Sequence, residues 1–369
     1  GARGLPRPGP PPPRRGPAPP PAPPPPAPPA ARGAAAPPHP PPPPPPIPPS
    51  PPPRYGSTEV LRPETVPRPV AGAGAVLVRM RAAAVCRGDV HLLTGKPYAI
   101  RLGFGLRRPK DPIIGHDLAG EVVEVGAGVV EFDRGDLVFG AVDAGAFAEY
   151  VCVPVERLAR VPDGLTVAEA AALPDSGMTA LQGLRDVGGL RAGQKVLVNG
   201  ASGGVGTSAV QIAKALGAEV TAVCSTRHVE TLRSLGADRV IDYTTADFTR
   251  GADRYDVLLD LVGNRSLTAC RRVLAPKGVF VSSAGAPGGN WLGPVLWVGK
   301  VVLTGLVVSQ TMRPLLMRPR RADLEFLAGL AAEGKLRPTI ERRCPLTAAA
   351  AAVGHVAEGH AKGKTVIVV

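Results

Sequence analysis

The segment KVLVNGASGGVGTSAVQIAKALG, residues Lys195 to Gly217, constrains the fold of this chain more than any other. Its first five residues form an apolar run of strand length, and the four glycines from Gly200 to Gly206 interrupt that run. Apolar residues then recur at helical spacing up to Leu216, so one face of a helix can pack on a sheet. Because Gly217 ends the helix, the segment predicts a strand, a glycine turn and a helix in succession.

A glycine turn of this kind suits the binding of a dinucleotide's diphosphate. Glycines let the backbone come close to the phosphates, and the free N–H groups at the helix start stabilise their negative charge. Gly203 and Gly206 take the close-approach and packing positions, whereas Ala201 stands where the first glycine is usual. A glycine-rich loop without a ligand is the alternative for the motif in isolation. We expect the dinucleotide to contact Ala201, Ser202, Gly203, Gly204, Val205 and Gly206.

Strands and helices alternate beyond the motif, which predicts a parallel, doubly wound sheet. The part from Tyr55 to about Arg160 instead has short apolar runs separated by Gly and Pro, which predicts a compact, mostly antiparallel, barrel-like domain. A final strand at Thr365 to Val369 is expected to return to that domain. The other expected strands are Ala75 to Val85, Gly120 to Val125, Leu137 to Gly140, Ala146 to Pro154, Glu219 to Val223, Val240 to Ile241, Val257 to Val262 and Gly278 to Ser283. The expected helices are Thr166 to Leu173, Thr179 to Asp186 and Arg321 to Glu333, together with two helices that end near Leu235 and Leu274.

Residues 1–53 are almost entirely Pro, Ala, Gly and Arg, a composition that cannot form a core. We expect a disordered tail with polyproline II character, which docks proline-recognising domains, is simply solvated, or reflects a misassigned gene start. Six arginines and no acid lie in residues 1–54, so the net charge of +13 falls to +7 for the rest. This charge, without basic runs interleaved with aromatics, predicts no nucleic-acid partner and favours an anionic cofactor.

Five scattered cysteines without a C-x-x-C pair argue for a reducing compartment and against a disulfide framework. No hydrophobic signal segment opens the chain, and we expect a cytoplasmic protein. The longest apolar span, Trp291 to Ser309, carries Lys300 and Pro294, so we expect a buried segment or a subunit interface and no membrane span. Its part from Val301 to Val308 favours sheet extension across a two-fold axis, and therefore a homodimer.

Four strings together resemble the medium-chain dehydrogenase/reductase superfamily: GASGGVGTSAVQIAKALGAEV, SLGADRVIDY at Ser234 to Tyr243, DLVGN at Asp260 to Asn264, and the ending EGHAKGKTVIVV. Within it, the chain is most similar to the quinone oxidoreductase and reticulon-interacting-protein-like branch. The resemblance covers about Tyr55 to Val369. It implies an α/β protein with a GroES-like catalytic domain at 55–165, joined by 335–369, a Rossmann cofactor-binding domain at 166–334, and a nicotinamide in the cleft between them. The Pro-rich tail occupies 1–54.

The residues after the second strand of the doubly wound sheet bear on the choice of cofactor. An NAD-preferring site places an acid there to accept both ribose hydroxyls. Here the string is CSTR, in which Ser225 can hydrogen-bond a 2′-phosphate and Arg227 can pair with it. We therefore predict NADPH over NADH, with a merely solvated Arg227 as the alternative. By resemblance, Tyr243 and Asn264 line the adenine and nicotinamide sides.

The resemblance also raises the question of zinc. Zinc-dependent members hold the ion with a cysteine, a histidine and a further cysteine or acid, and Cys86, His116 and Asp175 fall at the matching places, with Asp89 able to orient His116. However, the cysteine-rich structural lobe is missing, Gly88 replaces the hydroxyl residue of a proton relay, and the branch it resembles is zinc-free. We expect no zinc, with the cysteine buried, the histidine in a turn and Asp175 capping a helix.

Without zinc, the expected reaction is hydride transfer from NADPH to a quinone or an α,β-unsaturated carbonyl. Asp89 and Thr179 are candidate catalytic residues by position. Two alternatives stay open. A zinc-dependent alcohol dehydrogenase would use Cys86, His116 and Asp175, and a non-catalytic scaffold would sense NADPH with its Rossmann domain and recruit partners through the tail.

Overall fold

The structure, a computed structural model, describes residues 54–283, 293–359 and 363–369. All but one residue of the predicted tail at 1–54 lie outside the described residues, so the tail stays a prediction. In chain order, the strands are β1 (Ala75–Val85), β2 (Asp117–Val125), β3 (Leu137–Ala141), β4 (Tyr150–Pro154), β5 (Leu158–Arg160), β6 (Lys195–Asn199), β7 (Glu219–Cys224), β8 (Arg239–Asp242), β9 (Tyr255–Asp260), β10 (Leu274–Ser282), β11 (Thr311–Pro314), β12 (Ile340–Pro345) and β13 (Lys364–Val368).

The α-helices lie mainly between the strands of the second half. They are α1 (Arg87–Thr94), α2 (Arg101–Phe104), α3 (Val167–Ala171), α4 (Pro174–Leu181), α5 (Gly204–Ala215), α6 (Val229–Ser234), α7 (Leu267–Arg272), α8 (Gly293–Val307), α9 (Arg321–Ala332) and α10 (Ala349–Ala357). A π-helical turn, Gln182–Val187, continues α4.

The first sheet combines the early strands with the last two. Its order is β12-β13-β1-β2-β3-β5, with β4 also on β1, and all pairs except β12–β13 are antiparallel. The final strand lies beside the first, with Ala83 opposite Ile367. β1 has the bounds that its apolar run predicts, and its side chains are buried along most of its length. This is the compact, mostly antiparallel domain that the sequence predicts.

The second sheet is parallel throughout, in the order β11-β10-β9-β6-β7-β8. β7 and β8 extend the sheet on one side of β6, and β9, β10 and β11 extend it on the other. The strand order therefore reverses between β6 and β9, where Asn199 is opposite Asp260. Along β6, Val198 belongs to one core and Leu197 to another, because alternate side chains face opposite sides of the sheet. α5 covers the first face with Ile212, and α8 covers the second with Val301. The predicted doubly wound sheet is confirmed.

Several expectations from the sequence are corrected by the structure. The apolar span Trp291 to Ser309 was expected to be a buried segment or a subunit interface. Its described part forms α8, on which Val301 is the one fully buried residue among those described, so the first alternative does not hold and the interface stays a prediction. The helix expected to end near Leu274 ends two residues earlier, and Leu274 already begins β10. α1 was not expected, because its short sequence lacks a helical apolar stripe.

None of the helices in the described ranges combines the length and the hydropathy that a bilayer crossing requires.

Candidate active site

The glycine turn opens directly onto the first residue of α5. A Cβ on Gly206 would lie 2.3 Å from the Gly200 carbonyl oxygen, so only glycine lets the turn pack against the helix. A Cβ on Gly203 would meet no atom closer than 4.0 Å, so the space in front of it is open. The N–H groups of Gly204 and Val205 have no hydrogen-bond partner among the described residues. The turn therefore presents free backbone donors to a ligand.

Ala201 and Ser202, which follow Gly200 in the turn, differ in their burial and in their availability to a ligand. Ala201 is fully buried, and its N–H donates to the Val223 carbonyl oxygen at 3.0 Å. Its backbone donor is therefore occupied, and Ala201 supports the turn from beneath. Ser202 is half-buried and lies in the turn itself.

The end of β7 carries the residues predicted to select the cofactor. Ser225 is half-buried and Arg227 is exposed, and the described residues offer the Arg227 guanidinium no partner. Thr226 donates to Asp242 Oδ2 at 2.5 Å, and Asp242 lies 16 positions further along the chain. The hydroxyls of Thr226 and Thr244 lower the pKa of Asp242, so this carboxylate stays charged. The sequence-based argument found no acid at this strand end, but the third strand brings one beside it.

Tyr243 and Asn264 lie on either side of the turn. The Tyr243 N–H donates to the Cys224 carbonyl oxygen at 2.9 Å, and its side chain is 51 % exposed. Asn264 Oδ1 accepts from Asn199 Nδ2 at 3.0 Å, and the same amide donates to Asp260 Oδ1 at 2.8 Å. These bonds hold the turn after β9 against the end of β6. Ligands of doubly wound folds bind at this reversal point.

A second group of side chains forms around the start of α1. Asp89 is fully buried, and its carboxylate accepts from Cys86 N–H at 2.7 Å through Oδ2 and contacts His116 Nδ1 at 2.6 Å through Oδ1. The first bond caps the helix, which fixes the position of Asp89. The second bond leaves His116 Nε2 without a partner in the described part of the chain. Asp89 therefore positions His116, as the sequence suggested, and both its oxygens are engaged.

Gly88 keeps the space beside this histidine open. A Cβ on Gly88 would lie 3.0 Å from His116 Cε1, 3.3 Å from His116 Nε2 and 3.2 Å from Cys86 Sγ. A serine or threonine side chain here would crowd both neighbours. The absence of the relay hydroxyl at this position thus has a steric reason.

The surroundings raise the pKa values of the His116 imidazole and of the Cys86 thiol. Burial opposes a charge on the His116 ring, but the Asp89 carboxylate outweighs it and raises the pKa of His116 to about 9. Burial, followed by the Asp175 carboxylate, raises the pKa of the Cys86 thiol well above its ordinary value. At neutral pH the imidazole carries a proton on Nε2, and the thiol is neutral.

A buried ion pair adjoins the histidine. Lys364 Nζ donates to Asp117 Oδ2 at 2.7 Å, and their side chains are 5 % and 0 % exposed. Burial alone lowers the pKa of Lys364, but the Asp117 carboxylate outweighs it and holds that pKa above its usual value. Asp117 Oδ1 also accepts from Asp175 N at 2.8 Å. We refer to Asp89, His116, Asp117 and Lys364 as the buried charged cluster.

The cluster reaches the glycine turn through Lys364. A Cβ on Gly204 would lie 3.0 Å from Lys364 Cδ and 2.9 Å from Ser176 Oγ. The lysine stem therefore runs directly beneath the first residue of α5. Sequence reasoning missed both Lys364, which lies in the string EGHAKGKTVIVV, and Asp117, which directly follows His116, because no local pattern shows which buried charge pairs with which.

The predicted catalytic residue Thr179 lies elsewhere. It is in the interior of α4 and is 8 % exposed. Its hydroxyl forms no hydrogen bond with Asp89 or His116. No hydrogen bond therefore links the two predicted catalytic residues, and the role of Thr179 stays a prediction.

The donor set does not fit a zinc ion. Cys86, Asp89 and His116 offer ligand atoms within 4.8 Å of one another, but both oxygens of Asp89 are already bonded. Asp175 belongs to no such group among the described residues. Ligand atoms on a tetrahedral Zn²⁺ lie about 3.5 Å apart. What remains is one sulfur and one nitrogen, fewer ligands than a catalytic zinc site takes from its protein. The alternative set of Cys86, His116 and Asp175 is not among the groups of ligand atoms this close in the described residues, and it stays a prediction.

Two family matches cover most of the described chain. Residues 72–163 match the alcohol dehydrogenase GroES-like domain, and residues 235–367 match the zinc-binding dehydrogenase family. The zinc in the second description is not supported by the donor set of this chain.

Known proteins of similar sequence and structure are oxidoreductases. The chain is 33 % identical over 327 residues to the chloroplast envelope quinone oxidoreductase homolog of Arabidopsis thaliana, covering 85 % of this chain and 95 % of that protein. It is 34 % identical over 353 residues to the mitochondrial NAD(P)H oxidoreductase RTN4IP1 of Mus musculus, covering 85 % and 87 %. The structure of the quinone oxidoreductase from Coxiella burnetii superposes with a TM-score of 0.76 at 30 % identity, covering 86 % of this chain and 98 % of that one.

The GroES-like and Rossmann-like sheets, the open glycine turn and these relatives lead to one conclusion. The chain belongs to the medium-chain dehydrogenase/reductase superfamily, among its quinone oxidoreductases, and is an oxidoreductase that uses a nicotinamide cofactor.

Proposed function

We propose that this protein is an NADPH-dependent reductase that transfers a hydride to a quinone or an α,β-unsaturated carbonyl without zinc. One observation carries the proposal: the first residue of α5, with its free backbone donor, lies against the stem of Lys364 in the buried charged cluster. A dinucleotide held at the turn would thus have its reactive end close to His116. That closeness is what hydride transfer to a neighbouring acceptor requires.

NADPH, when bound, supplies the hydride. His116 then supplies the proton, because its Nε2–H points into the space that Gly88 leaves open. It donates a hydrogen bond to the acceptor oxygen and transfers its proton there as negative charge develops. A quinone that takes one hydride and one proton becomes a quinol, and an enone becomes the saturated ketone after protonation. Asp89 accepts a hydrogen bond from Nδ1–H, which fixes the orientation of the ring and stabilises its protonated form.

The preference for NADPH rests on Arg227 and Ser225 after β7. The guanidinium is exposed and unpaired in the described residues, so it is available to a 2′-phosphate. Asp242 opposes this preference, but Thr226 and Thr244 already donate to its carboxylate. We therefore expect a lower KM for NADPH than for NADH, measured with the same acceptor.

A substrate panel tests the activity. Purified full-length protein is incubated with each nicotinamide and with quinones, enones, aldehydes and alcohols, and cofactor oxidation is followed. Turnover of a quinone or an enone with NADPH supports the proposal. Tight NADPH binding without turnover of any acceptor would favour the non-catalytic scaffold instead.

Metal analysis of the same sample tests the zinc-free site. We expect less than stoichiometric zinc and an unchanged rate after dialysis against a chelator. Loss of rate that is restored by added Zn²⁺ would favour the alcohol dehydrogenase alternative.

Assembly and location complete the proposal. β11 pairs only with β10 among the described strands, so its free edge can pair with the same strand of a second copy, which gives a homodimer. Light scattering on the purified protein measures this directly.

All five cysteines are free, which suits a reducing compartment such as the cytoplasm. Fractionation of cells that produce the full chain tests that location.

A further inference from the structure

Two side chains from distant segments lie against Gly204, the first residue of α5. A Cβ on Gly204 would be 3.0 Å from Lys364 Cδ and 2.9 Å from Ser176 Oγ. The ammonium group of Lys364 is already engaged, because its Nζ donates to Asp117 Oδ2 at 2.7 Å. Of the two side chains, Ser176 is therefore the one whose polar atom is available to a ligand at this helix end.

Ser176 is buried, but its hydroxyl is not bonded. The residue is 3 % exposed, and Oγ has no hydrogen-bond partner in the part of the chain that the structure describes. The nearby buried hydroxyls differ in this respect, because Thr207 Oγ1 donates to the Gly203 carbonyl oxygen and Ser208 Oγ to the Gly204 carbonyl oxygen, each at 3.1 Å. A buried hydroxyl without a partner is unfavourable, so we expect this one to find its partner in a bound ligand.

The start of α4 fixes the position of Ser176. Pro174 is the first residue of the helix, and the N–H of Asp175 donates to Asp117 Oδ1 at 2.8 Å. α4 then packs along α5. Asp117 thus holds Lys364 through one carboxylate oxygen and the first turn of α4 through the other. Both side chains that lie against the start of α5 are therefore positioned by the same buried carboxylate.

An anionic group fits this helix end. The N–H groups of Gly204 and Val205 are free in the described residues, and a helix of 12 residues adds the positive end of its dipole. The hydroxyl of Ser176 adds a side-chain donor, and a hydrogen bond to a charged oxygen is stronger than one to a neutral oxygen. In a nicotinamide dinucleotide, the anionic group that binds at a glycine turn of this kind is the diphosphate.

We infer that Ser176 binds the diphosphate of the nicotinamide cofactor, by donating its Oγ–H to a phosphate oxygen at the free N–H groups of Gly204 and Val205. Ser176 thereby adds a side chain from α4 to a turn whose other donors belong to the backbone. This bond requires a nicotinamide cofactor but neither a 2′-phosphate nor a particular acceptor, and it rests on the proposed function only in that respect.

Calorimetric titration of the full-length protein with four ligands tests this bond. Ser176→Ala should lower the affinity for NADPH, NADH and ADP-ribose about tenfold each, because all three contain the diphosphate. The affinity for adenosine 2′-monophosphate, which lacks the diphosphate, should not change. Thr365→Val is the matched control. Thr365 Oγ1 is also buried without a partner among the described residues, but it follows Lys364 in β13 and so faces the other side of the sheet. All four affinities should therefore stay the same in this variant.

Thermal melting without ligand separates binding from packing. Ser176→Ala removes an unbonded buried hydroxyl, so its melting temperature should be equal to that of the parent or higher. A lower melting temperature with an equal loss of affinity for all four ligands would instead assign Ser176 to packing. An unchanged affinity of Ser176→Ala for ADP-ribose, or the same losses in Thr365→Val, would also overturn the inferred bond. A parent protein that binds the dinucleotides but reduces no acceptor would count against the proposed function and leave the comparison of affinities intact.

Discussion

The glycine turn and the buried charged cluster lie against each other, but they are built in different ways. The turn comes from one unbroken stretch, residues 199–206, and its donors are backbone N–H groups. The cluster joins side chains as far apart as Asp117 and Lys364, which are separated by 247 positions. Substitutions in the turn should therefore act locally on cofactor binding. Substitutions in the cluster should act on the packing of β2 and β13 within the first sheet.

Lys364→Met should have the largest effect. It leaves the fully buried Asp117 carboxylate without its cation, which should cost about 3 to 5 kcal/mol of the free energy of unfolding. Denaturant unfolding measures the loss. The Lys364→Met/Asp117→Asn variant should regain most of it, because asparagine removes the charge and keeps an acceptor for Asp175 N. A single variant that is as stable as the parent would show that the ion pair does not hold β2 and β13 together.

His116→Asn should have the next largest effect, on rate. Removing the proposed proton donor should lower kcat about 100-fold and leave the KM for NADPH nearly unchanged. Steady-state kinetics with a quinone measure both. Asp89→Asn should lower kcat less, and the double variant should be no slower than His116→Asn, because Asp89 acts through the ring. A kcat within threefold of the parent's would remove His116 from the mechanism.

Gly206→Ala and Gly203→Ala compare two positions within the turn. The Gly206 methyl group would collide with the Gly200 carbonyl, so both the melting temperature and NADPH affinity should fall, the latter about tenfold. The Gly203 methyl group faces open space in an extended conformation, so only affinity should fall. Calorimetric titration and thermal melting distinguish them. An unchanged affinity of Gly203→Ala for NADPH would mean that the phosphates do not approach there.

Arg227→Ala should have the smallest effect, because its guanidinium is exposed. We expect the preference for NADPH over NADH to fall about fivefold, through a higher KM for NADPH alone. Asp242→Asn should shift the preference the other way, because it removes the nearby negative charge. Equal changes with both nicotinamides would show that neither residue reads the 2′-phosphate.

How far the sequence predicts the structure differs between these regions. The bounds of β1 and β6 follow from their apolar runs, and α5 follows from helical spacing after the glycines. The span that contains α8 was predicted as a buried segment or a subunit interface, because hydropathy alone does not show which side of an apolar helix has a partner. The catalytic role of Asp89 stays a prediction, and its bond to His116 agrees with the orienting role that the sequence also suggested.

The sequence by itself determined the doubly wound sheet, the glycine turn and the family, because strand period, helix period and glycine spacing are local properties of the chain. Only the tertiary structure decided that Lys364 pairs with Asp117, that Asp242 comes beside Thr226, and that Asp175 N–H donates to Asp117. These contacts join segments that are far apart in the chain. Their distances are set by how the sheets and helices pack, and no local pattern encodes them.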